Sequence, residues 1–191
     1  GIITAIENSH LEGLKTLKNI LKAKSEILDS IKKDGCFIYN ADTNFSKELR
    51  KKAENSGIKT IISYGESKKA DIQLLNRTKV DKKYIIQARY FEETITWKMP
   101  TLGDHWHLNS LCVLAIGKYF RINPNTLLGA LEKFQLPKGR GNFLEIVKDF
   151  KKFHILDESY NSSPASLSAA LREFKKIMVK GLDFSKPDEI D

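Results

Sequence analysis

The chain has 191 residues, of which 41% are hydrophobic and 29% charged, and its formal net charge is +8. This composition is ordinary for a soluble globular protein of one large or two small domains. No apolar run reaches membrane-spanning length and no signal pattern opens the chain, which excludes a membrane span and favours a cytoplasmic protein. The lysines are spread along the whole chain, which favours a solvated basic surface over a nucleic-acid interface.

The hydrophobic pattern predicts alternating strands and helices. Six apolar or alternating runs predict strands before residue 100, at 2–6, 36–40, 59–64, 70–80, 84–90 and 93–98. Four stretches of helical spacing predict helices, at 14–33, 45–55, 108–120 and 126–134. Two more strands are expected after a glycine-containing linker, at 143–150 and 153–156. We therefore expect an α/β fold in two parts, 1–137 and 138–191, cut from a longer polypeptide because the chain opens on a strand without methionine.

Two side-chain types in this pattern carry limited information. Cys36 and Cys112 each lie in apolar runs, far from any other cysteine, so we expect buried free thiols in a reducing compartment. His105 and His107 are two residues apart in a segment that opens an apolar helix, and such a pair does not share a helix face. A metal site formed by these two histidines is therefore not expected, and Asp104 or Asn109 could cap the helix.

Lys24 is placed unusually, within the apolar stripe of the predicted helix at 14–33. Its neighbours one turn away are all apolar: Ile20, Leu21, Ile27 and Leu28. A lysine in this position extends out to water, pairs with a buried carboxylate or is functional, and the pattern alone favours the first of these. A lysine that loses its proton can be carbamylated by carbon dioxide, and a carbamate is an oxygen ligand suited to Mg²⁺.

The most informative segment is 157–166, which follows the predicted strand at 153–156. It begins with the carboxylates Asp157 and Glu158, continues with a cluster of hydroxyl groups, and reaches Pro164 at the start of an amphipathic helix. Polar groups at the carboxyl edge of an α/β sheet are where ligands bind. Upstream, Gly139-Arg140-Gly141 offers a forked cation suited to a phosphate, although it can equally be an exposed linker arginine.

These segments resemble motifs of the Mur ligases. Residues 157–166 are similar to the D-[DE]-S-Y-N-x-N-P-x-S motif of the branch that adds D-alanyl-D-alanine to UDP-N-acetylmuramoyl-tripeptide, with Ser163 in place of the second Asn. The run from His10 to Gly13, with Lys24 after it, resembles the family pattern H-L-E-G…A-K-x-E-I. Asn40-Ala41-Asp42 fits the family's N-x-D turn. Residues 103–109 resemble its G-x-H-x-x-x-N segment, with Trp106 where many members have Asn.

The resemblance implies a role for each matched residue. His10 and carbamylated Lys24 would be ligands of Mg²⁺, Asn109 would bind the adenine of ATP, and Arg140 would reach the ATP phosphates. Three residues of the 157–166 motif would close the nucleotide cleft: Glu158, Ser159 and Tyr160. His10, Lys24 and Arg140 would thus be the catalytic residues.

The same resemblance implies the fold and the reaction. The chain would hold the later part of a central ATPase domain, with a mixed sheet and helices, and the start of a Rossmann-like C-terminal domain. The intact enzyme would be a cytoplasmic monomer in peptidoglycan synthesis that activates the tripeptide carboxylate with ATP as an acyl phosphate and couples it to D-alanyl-D-alanine. The sequence contains no G-x-x-x-x-G-K-[ST] loop, so the chain alone is expected to be inactive.

Two other hypotheses remain open at this stage. The chain could be a non-catalytic remnant of such a ligase that binds nucleotide weakly at most. Its net charge could also indicate a nucleic-acid-binding domain, but such a domain interleaves aromatic and basic residues on one surface. The Phe and Tyr residues here fall mostly at core-type positions, and we therefore expect no nucleic-acid partner.

Overall fold

A computed structural model of the protein describes residues 1–7, 15–80, 83–100, 103–160, 167–168, 170–172 and 174–175. The chain divides into two compact units, Gly1–Gln135 and Leu136–Asp191. Because His10 lies outside the described residues, its predicted role is not addressed by the structure. The same holds for the motif residues 161–166.

A six-stranded mixed sheet forms the centre of the first unit, and its strands lie side by side in chain order. The strands are β1 (Ile2–Ile3), β2 (Cys36–Asn40), β3 (Thr60–Gly65), β4 (Ile72–Val80), β5 (Lys83–Tyr90) and β6 (Glu93–Met99). Strands β1 to β4 pair in parallel, whereas β4, β5 and β6 form an antiparallel meander. Four consecutive residues of β2 are buried, as expected for a parallel strand that is covered on both faces.

Among the described residues of the first unit, four α-helices pack on this sheet: α1 (Leu17–Ser25), α2 (Ser46–Asn55), α3 (Asp104–Tyr119) and α4 (Pro124–Glu132). Two begin at polar caps, since the Thr16 hydroxyl accepts the amide N–H of Asn19 and the Asn123 side chain accepts that of Asn125. Pro124 then supplies a first helical residue that needs no hydrogen-bond acceptor for its nitrogen.

The helix predicted at 14–33 is shorter than expected. α1 ends at Ser25, and a 3-10 helix follows at Glu26–Ser30. The Ser25 hydroxyl donates to the Leu21 carbonyl at 2.6 Å, a bond that tends to bend a helix. The change of helix type rotates Ile27 away from the predicted apolar stripe and leaves it 39% exposed, whereas Leu28 is buried.

The two faces of β2 belong to two different cores. Ile38 packs in a cluster with the meander, α3 and α4, whereas Phe37 and Tyr39 pack in a second cluster with α1 and α2. This division follows from the alternation of side chains along a strand. Cys36 and Cys112 are free and buried, as predicted, and burial raises the pKa of the Cys112 thiol to about 11. In the described ranges, no helix is both long and apolar enough to cross a membrane.

The second unit contains an antiparallel hairpin of β7 (Asn142–Lys148) and β8 (Lys151–Asp157). Its turn residues, Asp149 and Phe150, have φ values of 50° and 63°. The predicted strand at 143–150 therefore extended two residues too far, because the chain reverses at Asp149. The described residues between 167 and 175 are helical, and both Leu167 and Leu171 are more than half exposed.

Two helical glycines are expected to respond oppositely to alanine. Gly129, in α4, has no atom within 4 Å of the position that a β-carbon would take, so Gly129→Ala should raise the free energy of unfolding by about 0.5–1 kcal/mol. Gly117, in α3, is buried against Leu127, and a β-carbon there would overlap the Leu127 side chain. Gly117→Ala should therefore lower the free energy of unfolding by about 1–3 kcal/mol. Urea unfolding of both variants measures the difference, and equal shifts would contradict this packing.

Candidate functional site

A polar cleft lies at the carboxyl edge of the parallel strands. It has a volume of about 250 Å³ and is lined by the residues that follow β1 and β2, namely Ala5, Ile6, Glu7, Asn40, Asp42, Thr43 and Asn44. Asn40 turns the chain at the end of β2, because its side-chain oxygen accepts the amide N–H of Asp42 at 2.8 Å. The cleft therefore combines carboxylate, amide and hydroxyl groups at the edge where α/β sheets bind ligands.

Lys24 is exposed, and its ammonium group ends at this cleft. The Nζ atom donates to the carbonyl oxygen of Ala5 at 2.8 Å, and Ala5 is one of the lining residues. The side chain thus leaves the apolar stripe of α1, which is the outcome that the pattern alone favoured. Its amino group is accessible to carbon dioxide as well as to a ligand in the cleft.

The chemistry of the lining residues fits a magnesium ion in part. Carboxylate and amide oxygens are the donors that Mg²⁺ prefers, and Glu7 and Asn44 supply them, whereas the Asn40 amide oxygen already accepts the Asp42 N–H. The Asp42 carboxylate is already engaged, since it accepts the amide N–H groups of Glu66 and Ser67 at 2.8 Å each. Within the described ranges, no three or more His, Cys, Asp or Glu residues are grouped closely enough to hold a metal. Further oxygen donors would be needed, and a carbamate on Lys24 would be one.

Asn109 lies on α3, which begins four residues earlier than predicted. Gly103, with φ of 97°, is the N-cap residue and offers no side-chain cap, so neither Asp104 nor Asn109 caps the helix. His107 is fully buried and His105 is exposed, which agrees with the expectation that the two rings lie on different faces. Asn109 itself is half-buried in the second turn.

Charged side chains connect the first turn of α3 to the sheet edge. Arg77, on β4, is paired with Glu66 at 2.5 Å and with Asp104 at 3.5 Å. Glu66 is the residue whose amide N–H is held by Asp42. Neither Glu66 nor Arg77 belongs to a motif that is visible in the sequence. A charged residue on an alternating strand usually faces solvent, and no motif links positions so far apart in sequence.

In the second unit, four of the predicted site residues lie close to Gly139: Arg140, Glu158, Ser159 and Tyr160. The amide N–H of Gly141 donates to the Asp157 carbonyl at 2.8 Å, and that of Tyr160 donates to the Gly139 carbonyl at 3.1 Å. Gly139 has φ of 77°, and a β-carbon there would lie 2.9 Å from the Tyr160 nitrogen and 3.0 Å from the Ser159 hydroxyl oxygen. Only glycine therefore permits this close approach of the linker to the end of β8.

The side chains at this corner form an electrostatic cluster. The Arg140 guanidinium lies over the Tyr160 ring, 4.0 Å from its centroid, in cation–π geometry. The hydrogen bond from the Ser159 hydroxyl, together with its amide N–H, lowers the pKa of Asp157. Burial, followed by the charge of Asp157, raises the pKa of Glu158, and Arg140 acts in the opposite direction. Arg140 and Tyr160 are both exposed to a ligand.

The pKa of the Glu158 carboxyl should change when Arg140 is removed. Because Arg140 lowers the pKa of Glu158, the substitution Arg140→Ala should raise that pKa further above its ordinary value. Carbon-detected NMR titration of the Glu158 side chain between pH 3 and 8 measures the shift. Arg172→Ala is the matched control, since Arg172 is not among the groups that act on Glu158. An identical titration in both variants would contradict the cluster.

A larger cavity lies at the opposite edge of the sheet. It has a volume of about 500 Å³ and is lined mainly by apolar groups at the amino ends of β1 and β2 and the end of α3. It includes Ile2, Ile27 and Tyr119. Its size exceeds that of the polar cleft, but it brings together none of the predicted site residues. The chemistry therefore favours the carboxyl edge as the candidate site.

Comparison with known proteins identifies the family. Residues 1–117 match the Mur ligase middle domain. The chain is 30% identical over 171 residues to UDP-N-acetylmuramoyl-tripeptide--D-alanyl-D-alanine ligase from Bacillus subtilis, covering 90% of the chain and 35% of that relative. The ligase of the same name from Rickettsia prowazekii is 31% identical, over 92% of the chain and 38% of the relative. A UDP-N-acetylmuramate--L-alanine ligase from Dictyoglomus turgidum is 28% identical, over 91% and 36%.

Solved structures show the same fold. A crystal structure of MurF from Acinetobacter baumannii superposes with a TM-score of 0.79 at 25% identity, covering 92% of the chain and 37% of that protein. The chain belongs to the Mur ligase family. The predicted α/β fold with a mixed sheet and helices is thereby confirmed. The chain spans little more than a third of the length of these relatives.

Proposed function

We propose that the chain is part of an ATP-dependent ligase that joins D-alanyl-D-alanine to UDP-N-acetylmuramoyl-tripeptide in peptidoglycan synthesis. The observation that carries this proposal is the corner at Gly139, where Arg140 lies over Tyr160 and acts on Glu158, and where Gly139 closely approaches Ser159. These are the residues of the D-E-S-Y-N motif and of the linker that resemble the D-alanyl-D-alanine-adding branch. The names of the Bacillus and Rickettsia relatives support the same substrate.

Each of the two predicted domains has its own task in this proposal. Residues 1–137 are part of the central ATP-binding domain, where Asn109 binds adenine through its amide and where His10 and carbamylated Lys24 would hold Mg²⁺. Residues 138–191 begin the C-terminal domain, where Arg140 binds the phosphates. When bound, Mg²⁺ would neutralise the negative charge that develops on the transferring phosphoryl group.

The chain's own side chains act by binding and orientation. Arg140 is a fixed, always-charged donor, so it stabilises negative charge on phosphate oxygens without having to lose or gain a proton. Stacking on Tyr160 restricts its rotamers before the nucleotide binds. In the reaction, the tripeptide carboxylate attacks the γ-phosphate with release of ADP, and the dipeptide amine displaces phosphate from the acyl phosphate.

ADP release tests the proposal. The natural polypeptide that contains this chain is supplied with ATP, Mg²⁺, the UDP-linked tripeptide and D-alanyl-D-alanine. We expect ADP release that depends on the dipeptide, and none from the 191-residue chain alone, whose sequence contains no P-loop. Release with UDP-N-acetylmuramate and L-alanine instead would assign the chain to the type represented by the Dictyoglomus relative.

A second candidate is a non-catalytic remnant of such a ligase that binds nucleotide weakly at most. Its signature would be a folded natural polypeptide that binds ATP but releases no ADP with either amine. The same assay therefore separates the two candidates.

A further inference from the structure

We propose that Arg77 is a positioning residue that fixes the first turn of α3 against the sheet edge and so orients Asn109 toward the adenine base. This inference rests on the proposed function, because it assumes that Asn109 binds adenine. Arg77 itself lies on β4 and contacts no nucleotide in this scheme.

The geometry assigns Arg77 a bridging position. Its Nη2 atom lies 2.5 Å from a Glu66 carboxylate oxygen, and its Nη1 atom lies 3.5 Å from an Asp104 carboxylate oxygen. Glu66 follows β3 and Asp104 is the first residue of α3, so one guanidinium holds two elements that are 38 positions apart along the chain. The Nη1 atom is buried and makes no hydrogen bond to the described residues, which leaves the Asp104 charge as its electrostatic partner.

Within the described residues, the N-cap of α3 makes no side-chain hydrogen bond to its first turn, and the Arg77 bridge contacts that turn from β4. The N-cap residue is Gly103, which has no side chain to accept the free amide N–H groups of the helix. Asp104 is the first residue of the helix, and its negative charge interacts favourably with the positive end of the helix dipole. Its carboxylate oxygen also lies 4.0 Å from Nδ1 of the buried His107. His107 in turn packs on the Tyr84 ring at 4.5 Å. Arg77 thus pairs with the exposed Asp104 carboxylate, whereas His107 on the same turn is packed into the core.

Displacement of this turn would move Asn109. The two residues Asp104 and Asn109 belong to one continuous helix, which transmits a shift of its first turn to the next. On the sheet side, Glu66 is held by Asp42, which lines the polar cleft. A continuous chain of contacts therefore leads from the cleft to the helix that carries Asn109, through Asp42, Glu66, Arg77 and Asp104.

The experiment compares nucleotides that differ only in the base. In the natural polypeptide, Arg77→Met keeps an unbranched apolar stem and removes both ion pairs, and its Michaelis constant is measured for ATP and for inosine triphosphate. We expect an increase of about 10-fold for ATP, the lower end of what supporting residues cost, and less than about twofold for inosine triphosphate. Arg50→Met is the matched control, since Arg50 has an exposed salt bridge with Glu54 on α2.

A double-substitution cycle makes the test specific. If Arg77 acts through Asn109, Arg77→Met should add no further loss to Asn109→Ala. Equal losses for ATP and inosine triphosphate, or additive losses, would overturn the inference. If Arg77→Met does not fold, Glu66→Gln weakens one arm of the bridge without removing the guanidinium, and the same base-selective loss is expected. A normal Michaelis constant for ATP in Asn109→Ala would instead refute the proposed adenine site, independently of Arg77.

Discussion

Replacing Lys24 with alanine is expected to abolish ligation by the natural polypeptide while leaving it folded. The Lys24 ammonium ends at the polar cleft, 2.8 Å from the Ala5 carbonyl oxygen, and its carbamate would be an oxygen ligand of Mg²⁺. Loss of that ligand should lower kcat/KM by at least about 100-fold. Because the side chain is exposed, its removal creates no cavity and should shift the melting temperature little.

ADP release and thermal unfolding, measured on the same preparations, check this result. Lys22→Ala is the matched control, since Lys22 is an exposed lysine on the same helix. Added bicarbonate should not restore activity to Lys24→Ala, because no amine remains to be carbamylated. Near-normal turnover by Lys24→Ala would refute the assignment of Lys24 as a metal ligand.

Gly65→Ala is expected to destabilise the first unit by about 2–4 kcal/mol. Gly65 ends β3 with φ of 151°, and a β-carbon there would lie 2.6–2.8 Å from the Asp42 carboxylate. The Asp42 carboxylate would have to move and would lose its bonds to the amide N–H groups of Glu66 and Ser67. The substitution therefore combines backbone strain with the loss of two charge-assisted hydrogen bonds.

Gly57→Ala separates these two contributions. Gly57 also has a positive φ, 73°, but no atom lies within 4 Å of its β-carbon position. Gly57→Ala should therefore lower the free energy of unfolding only through backbone strain, by about 1 kcal/mol. Urea unfolding of both variants measures the difference in the free energy of unfolding. If the two losses were the same, contact with Asp42 would contribute nothing and the described role of Asp42 at the sheet edge would be wrong.

The parts of the fold that the sequence predicted best are those decided by local pattern. Strand β2 was predicted with its observed limits, because a buried apolar run ends at the Asn40 turn. The residues around Gly139 were found through the motif at 157–166, whose members are close in sequence as well as in space. The family resemblance also assigned Lys24 to a metal site, and the structure places its ammonium beside an oxygen-rich cleft.

The features that were missed depend on contacts between distant residues. The end of α1 at Ser25 reflects a hydroxyl bond and the packing of Leu28, neither of which changes the apolar periodicity. The start of α3 at Asp104 is paired with Arg77, which lies far away in the sequence on β4. A pattern of single residues cannot reveal such a pair, because each charge alone is typical of a solvated surface.

The mixed sheet described above also has a kinetic consequence. In the meander, partners are close along the chain, as with Ala88 and Ile95, whereas Ile3 of β1 pairs with Tyr39 across α1 and the 3-10 helix. Closing a long loop costs more entropy before any contact compensates for it, so local pairings form sooner. Refolding should therefore begin at the meander and spread toward β1, and amide protection in pulse-labelled exchange should appear in β5 and β6 before it appears in β2.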